Sequence, residues 1–344
     1  MVGGSGTTQL VFVHGIGGLR DAAEERREWL NALADGARAA GHADVVSGLT
    51  QGWLAETRFA DYSDLFTDPD AQGAEAIPGA GALGGPEDRQ DTEFMTAFVR
   101  ALIDEVDHQA RERGDRRTAA VAEDALAQLP DEGGEDDEEQ GVGEPFRVLG
   151  RVLTTLLQAP GLRGSTQWAS GLPLLSHLSQ VGRYLRRREA DGDRRTLDAR
   201  IRERVLSGTD PDRPLIVVSH SLGTVVAFEA LRGYEGRVPL LVTLGSPLAT
   251  GAAVLQRLEP QPPRTPARVE RWLNFWDRDD IVVGRPRLER WMRPNASGVV
   301  PVTARVDSGG LWVHTASKYL RQAAVAGPLV EALKAGPLVE AFEK

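Results

Sequence analysis

Residues 215 to 223, Leu215-Ile216-Val217-Val218-Ser219-His220-Ser221-Leu222-Gly223, limit what this chain can fold into more than any other stretch. Four apolar, mostly β-branched residues run straight into Ser-His-Ser-Leu-Gly, and Thr224 to Leu231 follow with helical spacing. A short continuous apolar run ended by a turn reads as a strand buried on both faces. The segment is therefore a strand, a tight corner and a helix, with Ser221 on the corner. Strand and helix backbones nearly touch at such a corner, so the residues two before and two after the serine must be small. Gly223 meets that demand, and Ser219 is the next smallest polar choice.

A serine hydroxyl in water is a poor nucleophile. It needs a base, an acid that orients the base, and donors for a developing oxyanion. Downstream, Arg271 to Trp276 reads as a strand, followed by the acidic cluster Asp277-Arg278-Asp279-Asp280 and then Ile281-Val282-Val283. Further on, Gly310 to Tyr319 places His314 just before a helical C-terminal segment. Upstream, Gln9 to Val13 reads as a strand running into His14-Gly15-Ile16-Gly17-Gly18. Glycines there let the backbone come close to a bound carbonyl. An isolated Ser-x-Ser-x-Gly is usually just a turn. It gains weight from the strand and helix around it and from an acid and a histidine following in order.

These segments together resemble the α/β-hydrolases of the serine esterase and lipase type. The resemblance rests on Val13-His14-Gly15, Ser219-His220-Ser221-Leu222-Gly223, Leu244-Gly245-Ser246-Pro247, Asn274 to Val282 and Val313-His314, and covers roughly residues 8 to 65 and 212 to 325. It implies a doubly wound, mostly parallel α/β sheet with a helical cap-like insertion. Ser221 is then the nucleophile, His314 the base and Asp280 the acid, chosen over Asp277 and Asp279 because Asp280-Ile281-Val282 resembles the family's Asp-Pro-Val. The oxyanion would meet the N–H groups of Leu222 and Ile16, with Gly15 and Gly17 as alternatives to Ile16. His14 and His220 are read as structural or pocket-lining, and Ser246 joins them near the pocket. The implied chemistry is hydrolysis of a small-molecule or lipid-like acyl ester with no cofactor. An acyltransferase or thioesterase would use the same groups, and a non-catalytic binding protein on the same fold is the rival from another class.

Composition fits this reading. With 344 residues and 41% hydrophobic content the chain can bury a large core, and a net charge of −10 argues against nucleic acid as partner. There is no cysteine, hence no disulfide or thiolate chemistry, and no metal-ligand spacing among the six histidines. Residues 1 to 8 lack the basic and apolar regions of a signal peptide, and no apolar run is long enough to span a membrane. A cytoplasmic protein is expected.

The organisation reads as core (8–66), mainly helical insertion (67–206), core (207–325) and tail (326–344). One helix is expected over about 93 to 129, with Phe94, Phe98, Leu102 and Val106 along one face. Asp131 to Glu139 is acidic enough to repel itself into a solvated loop. Val148 to Leu157 and Leu172 to Leu185 read as leucine-rich helices. The insertion is acidic before about residue 145 and arginine-rich after it. The two halves are expected to pair with each other; the alternative is a basic cap face for an anionic or lipid-like substrate or a membrane surface. In the tail, Ala326-Gly327-Pro328-Leu329-Val330-Glu331-Ala332 recurs as Ala335 to Ala341, each proline suited to begin a helix.

Overall fold

A computed structural model describes residues 7–15, 17, 19–52, 54–66, 87–129, 144–159, 171–187, 194–251, 253–283, 285–309 and 313–335. Six strands, β1 (Gln9–Val13), β2 (Glu56–Ala60), β3 (Leu215–His220), β4 (Leu240–Leu244), β5 (Trp272–Asp277) and β6 (Pro301–Val306), form one sheet in the order β2-β1-β3-β4-β5-β6. Every pairing is parallel. Parallel neighbours need crossover connections, which cover both faces, so the central strands are buried on both sides. β1, β3 and β4 are buried at every position.

Alternation along the strands divides the interior in two. Leu10, Phe12, Ile216, Val218 and Val242 face helices α1 (Ala22–Ala39), α9 (Ala316–Leu320) and α10 (Ala323–Lys334). Val11, Val13, Val217 and Leu241 point the other way, toward α8 (Leu222–Ala230). The insertion joins that second core. Its helices are α3 (Glu87–Glu112), α4 (Arg116–Ala127), α5 (Glu144–Leu157), α6 (Gly171–Arg186) and α7 (Leu197–Leu206). Phe94, Phe98, Leu102, Leu149, Leu153, Leu156, Leu178 and Val181 are buried in one cluster with Val217, Val225 and Phe228 of the sheet and α8. A short helix, α2 (Val46–Gln51), leads into β2.

Two expectations need correction. The single helix expected over 93–129 is a hairpin of α3 and α4. Gly114 at φ +69° turns the chain, and the Asp115 carboxylate caps α4 by accepting from the N–H and hydroxyl of Thr118. Pro328 does not begin a helix. It lies inside α10, which starts upstream at Ala323, so the first copy of the repeat is helical through its proline. The second copy lies outside the described residues apart from Ala335, as does Asp131–Glu139.

Among the described residues, Arg187 and Arg202 each hold Asp198 and Glu229, Glu229 belonging to α8, and Arg204 pairs with Asp64. Among the described residues, no helix is long and apolar enough to cross a membrane.

Candidate active site

β1 sits between β2 and β3, so the chain leaves β1 on one side and later returns on the other. The carboxyl ends of β1 and β3, where the strand order reverses, are the place where parallel sheets put their ligands. Val13 pairs with Ser219, Ser219 with Thr243, and Leu244 with Phe275. That register brings the loops after β1, β3, β4 and β5 to one edge.

Ser221 stands directly after β3 and immediately before α8. Its φ of +54° and ψ of −130° are sparsely populated for a residue with a side chain. Such a conformation costs about 1–3 kcal/mol and persists only where the surroundings impose it. Here the Ser221 N–H donates to Leu244 O at 3.0 Å. The approach is close on both sides. A Cβ on Gly223 would lie 2.2 Å from His14 O, and one on Gly15 would lie 2.7 Å from the Ser221 Cβ. Ser219 fits in its place because its hydroxyl turns sideways and donates to Val242 O at 3.0 Å.

The three residues singled out from the sequence meet here. Ser221 Oγ lies 2.9 Å from His314 Nε2, and His314 Nδ1 lies 2.8 Å from Asp280 Oδ2. With a carboxylate as acceptor the proton belongs on Nδ1, leaving Nε2 to accept from the serine hydroxyl. Asp280 Oδ1 accepts from Val282 N–H at 3.1 Å. Asp277, three residues earlier, is committed elsewhere: it accepts from Asp279 N–H and from the N–H and hydroxyl of Ser308. Asp279 is half-buried and lies beside Arg278. Of the three aspartates, only Asp280 hydrogen-bonds His314 among the described residues.

Two residues that sequence reasoning passed over shape this constellation. Tyr319, fully buried, donates to Asp280 Oδ2 at 2.7 Å and accepts from Asp277 N–H at 3.0 Å. Burial, with the Asp280 charge beside it, pushes its phenol well above the usual tyrosine range, so it stays a donor. Gly245, in the Leu-Gly-Ser-Pro turn, has φ +54°, and a Cβ there would fall 2.7 Å from Asp280 Oδ2 and 3.2 Å from His314 Nδ1. The turn leaves space for the acid and the imidazole. Tyr319 was legible only as a residue five after His314, and Gly245 only as part of a turn.

The remaining candidates fall as follows. Leu222 is buried, and as the first residue of α8 its N–H has no intrahelical acceptor. Ile16 lies outside the described residues. Gly15 lies against Ser221, whereas the N–H of Gly17 is already taken, donating to Gln180 Oε1 at 3.1 Å. Ser246 is buried and structural, its hydroxyl 2.8 Å from Thr224 Oγ1 and accepting from Leu248 N–H.

His14 is buried between Phe59 and Tyr62, with Nδ1 toward Gly15 O and Nε2 accepting from Tyr62 N–H. Asp61 lies 3.4 Å from that Nε2 and favours its protonation, but burial outweighs it and lowers the imidazole below its ordinary value. His220 lies beside His314, ring centres 4.6 Å apart, and its buried Nε2 has no hydrogen-bond partner among the described residues. Burial, with His314 nearby, holds it well below the usual range. Both are neutral packing groups. Among the described residues no cluster of His, Asp and Glu could hold a metal ion.

Comparison of the chain with family models, with curated proteins and with solved structures found no match.

Proposed function

We propose that this protein is a serine hydrolase of the α/β-hydrolase class that cleaves a carboxylic ester through an acyl-enzyme on Ser221. The observation that carries the reading is the unbroken line Asp280–His314–Ser221, at 2.8 and 2.9 Å, ending on a serine held at positive φ directly after β3.

In this mechanism Ser221 Oγ attacks the acyl carbon while His314 Nε2 takes its proton. The carbonyl π pair moves to oxygen, where Leu222 N–H and a donor from the loop after β1 receive it. One such donor is worth about 2.7–4 kcal/mol in comparable sites. Collapse of the tetrahedral species expels the alcohol, protonated by His314, and leaves the acyl-serine. Water, deprotonated by His314, attacks that ester in turn, releasing the acid and restoring the serine. Asp280 keeps the Nδ1 proton in place and stabilises the imidazolium in both halves.

A fluorophosphonate probe should label the folded protein once, at Ser221, and Ser221→Ala should abolish both labelling and hydrolysis of p-nitrophenyl acyl esters. Removing a triad nucleophile costs about 10⁶ in comparable enzymes. A folded Ser221→Ala protein that still hydrolyses esters at the wild-type rate would remove the assignment.

A further inference from the structure

Gly17 has both backbone polar groups held by one side chain. Its N–H donates to Gln180 Oε1 at 3.1 Å, and its carbonyl accepts from Gln180 Nε2 at 3.3 Å. The two residues are 163 positions apart, Gln180 lying on α6 in the middle of the insertion. A primary carboxamide presents a donor and an acceptor side by side, as a peptide group does, so it pairs with Gly17 much as a neighbouring strand would. The pairing holds Gly17 at two points, its N–H and its carbonyl.

α6 is itself firmly seated. Leu178 and Val181 are buried, and a Cβ on Gly182 would come 2.8 Å from the Phe94 ring, so α6 lies directly against α3. One turn beyond Gln180, the buried Tyr184 hydroxyl donates to Glu229 Oε2 at 3.0 Å. Arg187, just past the end of α6, pairs with Glu229 at 2.6 Å and with Asp198 at 3.1 Å. Glu229 lies on α8, the helix that begins at the nucleophile. α6 and the residue after it therefore hold Gly17, in the loop after β1, through Gln180 and hold α8 through Tyr184 and Arg187. Those are the two backbone segments that must supply the oxyanion donors.

We propose that Gln180 is a positioning residue for the oxyanion hole, and that α6 braces the hole's two halves at a fixed separation. This rests on the esterase reading of Ser221 above. Gln180 touches no reacting atom; it acts by holding Gly17, the neighbour of Ile16 in the chain. Because the oxyanion develops in the transition state and is absent from the bound ester, loosening the loop lowers kcat and leaves KM almost unchanged.

The experiment pairs steady-state kinetics on p-nitrophenyl esters with hydrogen–deuterium exchange of the peptide covering residues 14 to 19, for wild type, Gln180→Ala and Gln180→Glu. Gln180→Ala should lower kcat by about 10- to 100-fold, the range expected for misplacement by about an ångström. KM should stay within about twofold, Tm should be little changed, and exchange in that peptide should speed up. Gln180→Glu keeps the acceptor for Gly17 N–H but loses the donor, so its kcat should fall between the two. Unchanged exchange in Gln180→Ala overturns the proposal, as does an unchanged kcat. If the wild type hydrolyses no ester, the esterase reading fails, while the exchange measurement still decides whether Gln180 holds the loop.

Discussion

Tyr319 Oη donates to the same Asp280 oxygen that accepts the Nδ1 proton of His314, at 2.7 and 2.8 Å respectively. The carboxylate is thus gripped from two sides, and the tyrosine oxygen also accepts from Asp277 N–H. Asp280 is therefore held from outside its own loop as well as by the Val282 N–H within it.

Tyr319→Phe removes that grip without opening a cavity. It leaves Asp277 N–H buried with no acceptor, which costs about 1–3 kcal/mol. A lower Tm is expected, together with a kcat reduced roughly tenfold at unchanged KM, since a misplaced acid misplaces the imidazole. Equal kcat in the two proteins would show that the Val282 contact alone holds Asp280.

The three neighbouring aspartates should separate cleanly. Asp280→Asn should lower kcat by about four orders of magnitude, because an amide favours the wrong imidazole tautomer. Asp277→Asn should act on stability instead. It turns an amide toward the N–H and hydroxyl of Ser308, at a cost of about 1–3 kcal/mol, with activity of the folded protein kept within about tenfold. Asp279→Asn should change stability by no more than about 0.5 kcal/mol. Esterase assays alongside urea unfolding distinguish all three.

The insertion should prove inseparable from the sheet. Leu153→Ala and Leu178→Ala each truncate a buried side chain in the cluster shared with Val217 and Phe228, and should cost about 2–5 kcal/mol in chemical denaturation. Deleting residues 148 to 185 should leave no cooperative unfolding transition. A deletion variant that unfolds cooperatively would show that the sheet can cover this face without the helices.

His14 and His220 make stability depend on mild acid. Burial lowers both below the ordinary imidazole value of 6.5. As pH falls below that value the unfolded chain takes up protons that the native state refuses. Stability therefore falls with pH, by up to about 1.4 kcal/mol per pH unit for each group. His220→Phe keeps a ring beside His314 and discards a nitrogen with no hydrogen-bond partner among the described residues. Urea unfolding between pH 5 and 6.5 should then show a shallower slope; an identical slope would mean that His220 is protonated in the native protein.

Much of this protein was legible in its sequence. The β-branched run into Ser-His-Ser-Leu-Gly prescribes a buried strand and a tight corner, because local sterics and burial pattern act within a few residues. The glycines facing the corner can be read in the same way, whereas Asp280 and His314 were singled out by a family resemblance. What the sequence left open is what lies far apart along the chain. Asp277, Asp279 and Asp280 are chemically alike, and only the fold commits Asp277 to Ser308 and turns Asp280 to His314. The leucine-rich stripes of the insertion disclose that they are buried but not against what, since apolar contact is nondirectional. Gln180 carries no local signal, yet its amide reaches Gly17 across 163 residues. Sequence determined which groups could do the chemistry; tertiary packing decided which of them meet, because hydrogen-bond partners are fixed by position in space and not by position in the chain.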